Sequence, residues 1–127
     1  EVPPDYDVDE SGARQHPDLA MPMVLVNPRI LSRGEETRTA EEGCLSFPNV
    51  CGAIKRPLDI QLAYRTLDGQ DEEIALTGFL ARVVQHEVDH LNGVLFIDRM
   101  TPVKRAALSG RLKRMRRDTR GRLGLTR

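Results

Sequence analysis

The clearest pattern of hydrophobic and polar positions lies near the middle of the chain. From Leu58 to Arg65 apolar and polar residues alternate, so that Leu58, Ile60, Leu62 and Tyr64 share one face. This alternation predicts a half-buried β-strand. Asp68-Gly69 then predicts a hairpin turn, and residues 72–76 form the expected return strand.

A helix is predicted directly after this hairpin. Thr77 suits the N-cap position, the helix runs from about Gly78 to Leu91, and Asn92-Gly93 ends it. Helical spacing gives this segment two neighbouring stripes. One contains Leu80, Val84, Val88 and Leu91, and the other contains Phe79, Val83, His86 and His90.

The other elements are predicted from weaker signals. Residues 1–20 indicate an irregular polar arm with a solvated His16, and residues 33–42 a solvated segment. Residues 23–27 predict a strand ended by Pro28, followed by a second short strand at 29–32, while residues 94–97 suit a strand or extended link. Pro102 begins a final helix that reaches about Arg117. Strands followed by helices predict an α+β fold, with small antiparallel or mixed sheets around the central helix and a helix at the C-terminus.

Composition and charge divide the chain in two. Its 127 residues suit one hydrophobic core, and no apolar run is long enough for a membrane span. From Val103 onward there are ten Lys or Arg residues and one acid, so this part carries +9 and residues 1–102 carry −9. We therefore expect a domain over residues 1–101 and a basic helix and tail over 102–127. Such a tail is either a nucleic-acid-binding surface or only a solvated helix.

The central helix contains candidate metal chemistry. Residues 86–90 read His-Glu-Val-Asp-His, and two histidines four residues apart on a helix can reach one metal ion. Glu87 is placed to take a proton from the attacking water. HExxH also occurs by chance on helices with surface histidines, so a third ligand is needed to decide.

Cys44 is the strongest candidate for that third ligand. Downstream of His90 only Asp98 and Asp118 are acidic, and neither is in a convincing position. Cys44 lies upstream between a glycine and a leucine, and a thiolate with two imidazoles suits iron or zinc. Cys51 is interpreted as a free thiol.

These two segments resemble signature motifs of peptide deformylases. Residues 42–46 read Glu-Gly-Cys-Leu-Ser and residues 86–93 read His-Glu-Val-Asp-His-Leu-Asn-Gly, and the similarity spans at least residues 24–100. The resemblance implies a cytoplasmic hydrolase of protein biosynthesis, although an organellar one fits as well. Such an enzyme removes the formyl group from the N-terminal methionine of nascent polypeptides and releases formate.

The resemblance also implies roles for individual residues. Cys44, His86 and His90 would bind one divalent metal, Fe²⁺ in the cell and replaceable by Zn²⁺ or Ni²⁺, with Glu87 as general base. The Leu45 backbone N–H would donate to the oxyanion. The remaining implied residues are Glu42 and Gly43 along the bound peptide, Phe79 and Val83 at the methionine pocket, and Arg56 as the partner that fixes Glu42.

One family motif, G-x-G-x-A-A-x-Q, is absent from the sequence, which begins at Glu1 rather than methionine. Its glutamine normally donates to the oxyanion, so the chain is expected to be a cleaved, truncated or partly disordered form of a longer one. Two alternatives stay open: an HExxH peptidase, and a catalytically silent metal-binding or ribosome-binding fragment. The basic helix is a candidate ribosome contact, and no membrane partner is expected.

Overall fold

A computed structural model describes residues 7–125 of the chain. Two compact units are present. The first contains the described residues up to Arg38 together with Arg56–Val94, and the second contains Thr39–Lys55 and the described residues from Leu95 onward. The division at residue 101 into a catalytic domain and a basic tail stays a prediction.

The fold is α+β, as predicted. Its elements in chain order are β1 (Val26–Arg33), β2 (Thr37–Cys44), β3 (Phe47–Pro57), β4 (Asp59–Arg65), β5 (Asp71–Thr77), α1 (Gly78–Leu91), a 3₁₀ helix (Phe96–Arg99), α2 (Pro102–Ala107) and α3 (Ser109–Arg122). None of the helices within residues 7–125 is long and apolar enough to cross a membrane.

The first unit is built on a three-stranded antiparallel sheet in the order β1-β4-β5. In the predicted hairpin, Ile60 pairs with Leu76 and Leu62 pairs with Ile74. Gly69 takes the turn conformation with φ 82°. Alternation along β4 directs Ile60 and Leu62 into a core that they share with Leu76 and with Ala81 of α1.

The first strand differs from the prediction, because Pro28 lies within β1 rather than at its end. Pairing with β4 is irregular between Val26 and Arg29, and Asn27 has a positive φ of 49°. Since β1 is at the edge of this sheet, a proline without an N–H is tolerated at such an irregularity. The two short strands expected at residues 23–27 and 29–32 are therefore one strand, which begins at Val26.

The bounds predicted for α1 are confirmed, but its capping differs. Thr77 is the N-cap, yet its side chain makes no capping hydrogen bond and its hydroxyl donates to Asp59 instead. Leu80 and Val88 are buried as the stripe predicts, whereas Leu91 is 70% exposed because it is the last residue of the helix.

His16 was expected to be solvated, and this is wrong. Its side chain is buried, with Nδ1 2.5 Å from Asp7 Oδ1 and Nε2 accepting from the Thr77 N–H at 3.1 Å. Polar neighbours in the sequence concealed a contact that joins residues 61 positions apart. Burial alone would raise the pKa of the Asp7 carboxyl, but the hydrogen bonds from the His16 ring and backbone, together with the charge of Arg14, lower it overall.

The second unit contains most of the two-stranded sheet β2-β3. Residues 33–42 were expected to be a solvated segment, but β2 includes most of them. Five of the eight β2 residues are exposed and only Glu42 is buried, so the sequence carries no apolar alternation there. The core of this unit consists of Val50, Ile54, Phe96, Ile97 and Met100.

The C-terminal part is also more divided than expected. Residues 96–99 form a 3₁₀ helix rather than a strand, and the Asp98 carboxylate accepts from the Leu95 N–H at its start. The final helix is broken at Leu108 into α2 and α3 and continues to Arg122. Leu108, at this break, and Leu112 both pack against the core of the second unit. Pro102 begins α2, as predicted.

Candidate metal centre

The two histidines of the HExxH motif lie side by side on α1. Four residues are slightly more than one helical turn, so both imidazoles project from one face. Their ring centroids are 4.7 Å apart with an interplanar angle of 55°. His86 is buried and His90 is partly exposed. This geometry allows both rings to bind one ion.

Cys44, the last residue of β2, completes a group of three side chains that could hold a metal ion. One ligand atom from each of Cys44, His86 and His90 lies within 4.8 Å of the other two. Both cysteines of the chain are free, and Cys44 is partly buried whereas Cys51 is exposed. One thiolate and two imidazoles are ligands that fit Zn²⁺ or Fe²⁺ and leave a coordination position open.

Glu87 follows the first histidine and is exposed. Its Oε2 lies 3.8 Å from Nδ1 of His90. A carboxylate beside a ring that could bind metal is within reach of a water molecule held close to that ring. The position is therefore compatible with a general base, and this role stays a prediction.

A buried ion pair joins the metal motif to the end of β3, and its partner residue was not predicted from the sequence. Asp89 of the motif accepts from Nη1 of Arg56 at 2.8 Å, and both side chains are almost fully buried. Gln85, also buried, donates to the carbonyl oxygens of Pro57 and Ala81 at 3.0 and 3.1 Å. The contacts with Arg56 and Pro57 fix α1 to the end of β3, and with it the backbone positions from which both rings project.

The other candidate site residues lie on two segments. On β2 and the turn after it, Glu42 is buried, Gly43 is exposed and the Leu45 side chain is fully exposed. On α1, Phe79 is 42% exposed and Val83 is partly exposed. The roles inferred for these residues, including the pairing of Glu42 with Arg56, stay predictions. Gln85 and Asp89 escaped assignment because their partners come from a distant part of the sequence.

Comparison with known proteins gives consistent matches to one family. The sequence profile described as polypeptide deformylase matches residues 6–106. A peptide deformylase of Opitutus terrae is 44% identical over 117 residues, which cover 91% of this chain and 61% of that protein. One from Thermotoga neapolitana is 47% identical over 100 residues, covering 79% of this chain and 61% of that protein.

Solved structures give the same result. Peptide deformylase 1B of Arabidopsis thaliana in complex with an inhibitor has a TM-score of 0.80 and 34% identity, covering 90% of this chain and 61% of that one. A Plasmodium falciparum peptide deformylase in complex with an inhibitor has a TM-score of 0.71 and 38% identity, covering 73% of this chain and 60% of that one.

The fold and the donor set define a candidate metallohydrolase. The chain belongs to the polypeptide deformylase family. It spans about 61% of the length of the two curated relatives described above.

Proposed function

We propose that this chain is the metal-binding catalytic part of a hydrolase that removes the N-formyl group from the N-terminal methionine of new polypeptides. When bound, a divalent metal supplies a Lewis acid that polarises the formyl carbonyl and favours ionisation of water. Cys44, His86 and His90 hold this ion. Fe²⁺ is the proposed resident metal, and Zn²⁺ or Ni²⁺ suit the same donors.

The protein's own groups move the protons. The Glu87 carboxylate accepts a proton from the attacking water while the oxygen of that water bonds to the formyl carbon. The backbone N–H of Leu45 donates to the oxygen of that carbon as it gains negative charge. The C–N bond then breaks, formate leaves, and Glu87 returns the proton to the amine of methionine.

Other residues position the substrate. Glu42 and Gly43 lie along the peptide, and the exposed face of Phe79 with Val83 contacts the methionine side chain. Arg56 supports this arrangement because it is buried and already bound to Asp89 within the metal motif. A rigid support of this kind keeps the reacting groups in a productive geometry.

The basic C-terminal part suits a partner that carries phosphate. Helix α3 has no buried residue and is rich in exposed arginine. We propose that it contacts ribosomal RNA in the cytoplasm, where new formylated chains emerge. Contacts of this type strengthen as salt is lowered.

The three-ligand group carries the proposal, and it can be tested with the 127-residue chain. The chain is loaded with Fe²⁺ without oxygen, or with Ni²⁺, and formate release from a short formyl-Met peptide is measured. Glu87→Gln is expected to keep the metal and lose at least about 100-fold in rate, because a carboxamide cannot accept the proton. Cys44→Ser is expected to bind the metal more weakly and to lose rate for that reason, since a neutral hydroxyl is a poor replacement for thiolate.

Cys51→Ser is the matched control, because Cys51 is the other free cysteine and is exposed. It is expected to keep both metal and rate. Full turnover by metal-loaded Glu87→Gln would contradict the role of Glu87. A chain that binds metal in the expected ratio but releases no formate would identify a silent metal-binding fragment instead.

A further inference from the structure

Two acid–base side chains are buried in an arm of the first unit that is otherwise exposed. Asp7 is 5% exposed and His16 is 9% exposed, while residues 8–15 between them are all exposed. Burying a carboxylate and an imidazole is costly unless both are hydrogen-bonded. Their contacts therefore attach this arm together with Leu19, which packs against the core of the first unit.

The hydrogen bonds determine which nitrogen of His16 carries the proton. The backbone N–H of Thr77 can only donate, so the Nε2 atom 3.1 Å away must accept. The ring proton is then on Nδ1 and is donated to Asp7 Oδ1 at 2.5 Å. Oδ2 of Asp7 accepts from the His16 backbone N–H at 3.2 Å, and Arg14 Nε lies 3.4 Å from the same oxygen.

This network ends at the residue where the chain turns from β5 into α1. Thr77 is extended, with φ −133° and ψ 164°, and Gly78 follows with a positive φ of 63°. The Thr77 hydroxyl donates to Asp59 and the Gly78 N–H donates to the Leu58 carbonyl at 3.1 Å. With the backbone N–H of Thr77 bound by His16, the direction in which α1 leaves the sheet is fixed.

We infer that Asp7 and His16 form a positioning pair that sets the orientation of the helix carrying His86, Glu87 and His90. This inference rests on the proposed metal-binding function of that helix. His86 comes nine residues after Thr77, about 13 Å along the axis. A tilt of about 10° at Thr77 would displace His86 by roughly 2 Å, which is larger than the tolerance of a metal site.

The position of His16 can be tested first without any metal. In the unmodified chain, ¹⁵N chemical shifts of the imidazoles are expected to show the Nδ1–H tautomer for His16, assigned by its loss in His16→Gln. The Thr77 amide is expected to be protected from hydrogen exchange. An Nε2–H tautomer or an unprotected Thr77 amide would overturn the pair whatever the chain catalyses.

The coupling to the metal helix is tested with Zn²⁺ and a competing chelator. His16→Leu removes the ring atoms that bind the Thr77 N–H and Asp7 Oδ1, and zinc affinity is expected to fall about 10- to 100-fold. In His16→Gln the amide can accept from Thr77 and donate to Asp7, so affinity is expected to stay within about threefold. Glu10→Gln, in the same exposed arm, is the control and is expected to bind like the unmodified chain.

The outcomes separate a positioning role from a merely structural one. A His16→Leu chain that melts at lower temperature but binds zinc as tightly as the unmodified chain, well below its melting point, would overturn the positioning role. Failure of Gln to restore affinity would do the same. If His16→Leu does not fold, the zinc affinities of His16→Gln and Asp7→Asn are compared with that of Glu10→Gln. This comparison then decides whether the pair has a positioning role. If no chain binds zinc, the proposed function fails while the tautomer measurement still decides the pair.

Discussion

Among single residues, Asp89 combines membership of the metal motif with a buried contact to Arg56. In Asp89→Ala the guanidinium would lose this carboxylate while it stays almost fully buried. Breaking a buried pair from one side typically costs about 3 kcal/mol or more. We expect a loss of this size in the free energy of unfolding, measured by urea denaturation with metal removed by a chelator.

Asp71→Ala is the matched comparison, because Asp71 pairs with Arg65 at 2.9 Å on the surface. Solvent screens such a pair, so a much smaller loss is expected. Equal losses in the two variants would show that burial of the Arg56–Asp89 pair has no energetic consequence.

A second prediction for single residues concerns pH. The pKa of Asp7 is lowered in the folded chain by His16 and Arg14, which outweigh burial. The folded carboxyl therefore holds its proton less tightly than the unfolded one. Its contribution to stability is complete above the unfolded pKa, near 3.9, and is lost as pH falls from there through the folded value.

Urea denaturation between pH 5 and pH 2.5 checks this effect. In Asp7→Asn the free energy of unfolding is expected to be lower at pH 5 and to fall less steeply below pH 4. Parallel curves for the variant and the unmodified chain would contradict the assigned cause.

At the scale of elements, Gly78 decides how α1 can begin. Its φ of 63° is unfavourable for other residues, and an added Cβ would lie 2.6 Å from Gln15 Oε1. Gly93, at the other end of the helix, has φ 74° but no heavy atom within 4 Å of the added Cβ. Gly93→Ala is expected to cost about 1 kcal/mol from backbone strain alone. Gly78→Ala is expected to cost a similar amount, because Gln15 Oε1 is the end of an exposed, flexible side chain that can move away.

Thermal unfolding of both variants measures the difference. Adding Gln15→Ala to Gly78→Ala is expected to change the stability little, because the Gln15 side chain can already move away. A clear recovery in the double variant would show instead that Gln15 restricts the start of α1.

The elements also show which parts of the fold can be predicted from the sequence. The β4-β5 hairpin and α1 were predicted with nearly correct bounds, because alternation and helical spacing are strong when one face is buried. Strand β2 buries almost nothing but Glu42, so it carries no such pattern. The metal motifs are local in sequence, whereas His16 with Thr77 and Arg56 with Asp89 are long-range pairs whose partners only folding brings together.

For the molecule as a whole, the charge division of the sequence corresponds to a difference in burial. Residues from Val103 onward carry +9, and α2 and α3 bury no residue. However, Leu112 packs against the core of the second unit. Truncation from Leu112 would therefore disturb that core as well as remove charge, so substitution is the better test of a ribosome contact.

The test neutralises three exposed cations of α3 by changing Lys113, Arg116 and Arg117 to Gln. Co-sedimentation with ribosomes is measured over a range of salt concentrations. Each phosphate contact contributes roughly 0.7 to 0.9 to the slope of log affinity against log salt. We expect weaker binding and a slope shallower by up to about 2 to 3, with turnover of a short formyl-Met peptide unchanged.

The control removes the same charge elsewhere, by changing the exposed residues Arg29, Arg33 and Lys55 to Gln. If general electrostatic attraction were responsible, both triple variants would lose the same affinity. A loss confined to the α3 variant would locate the contact on that helix, because only the position of the removed charge differs. If the α3 changes leave ribosome binding unaffected, α3 is only a solvated helix. Its charge would then serve to keep its exposed surface hydrated.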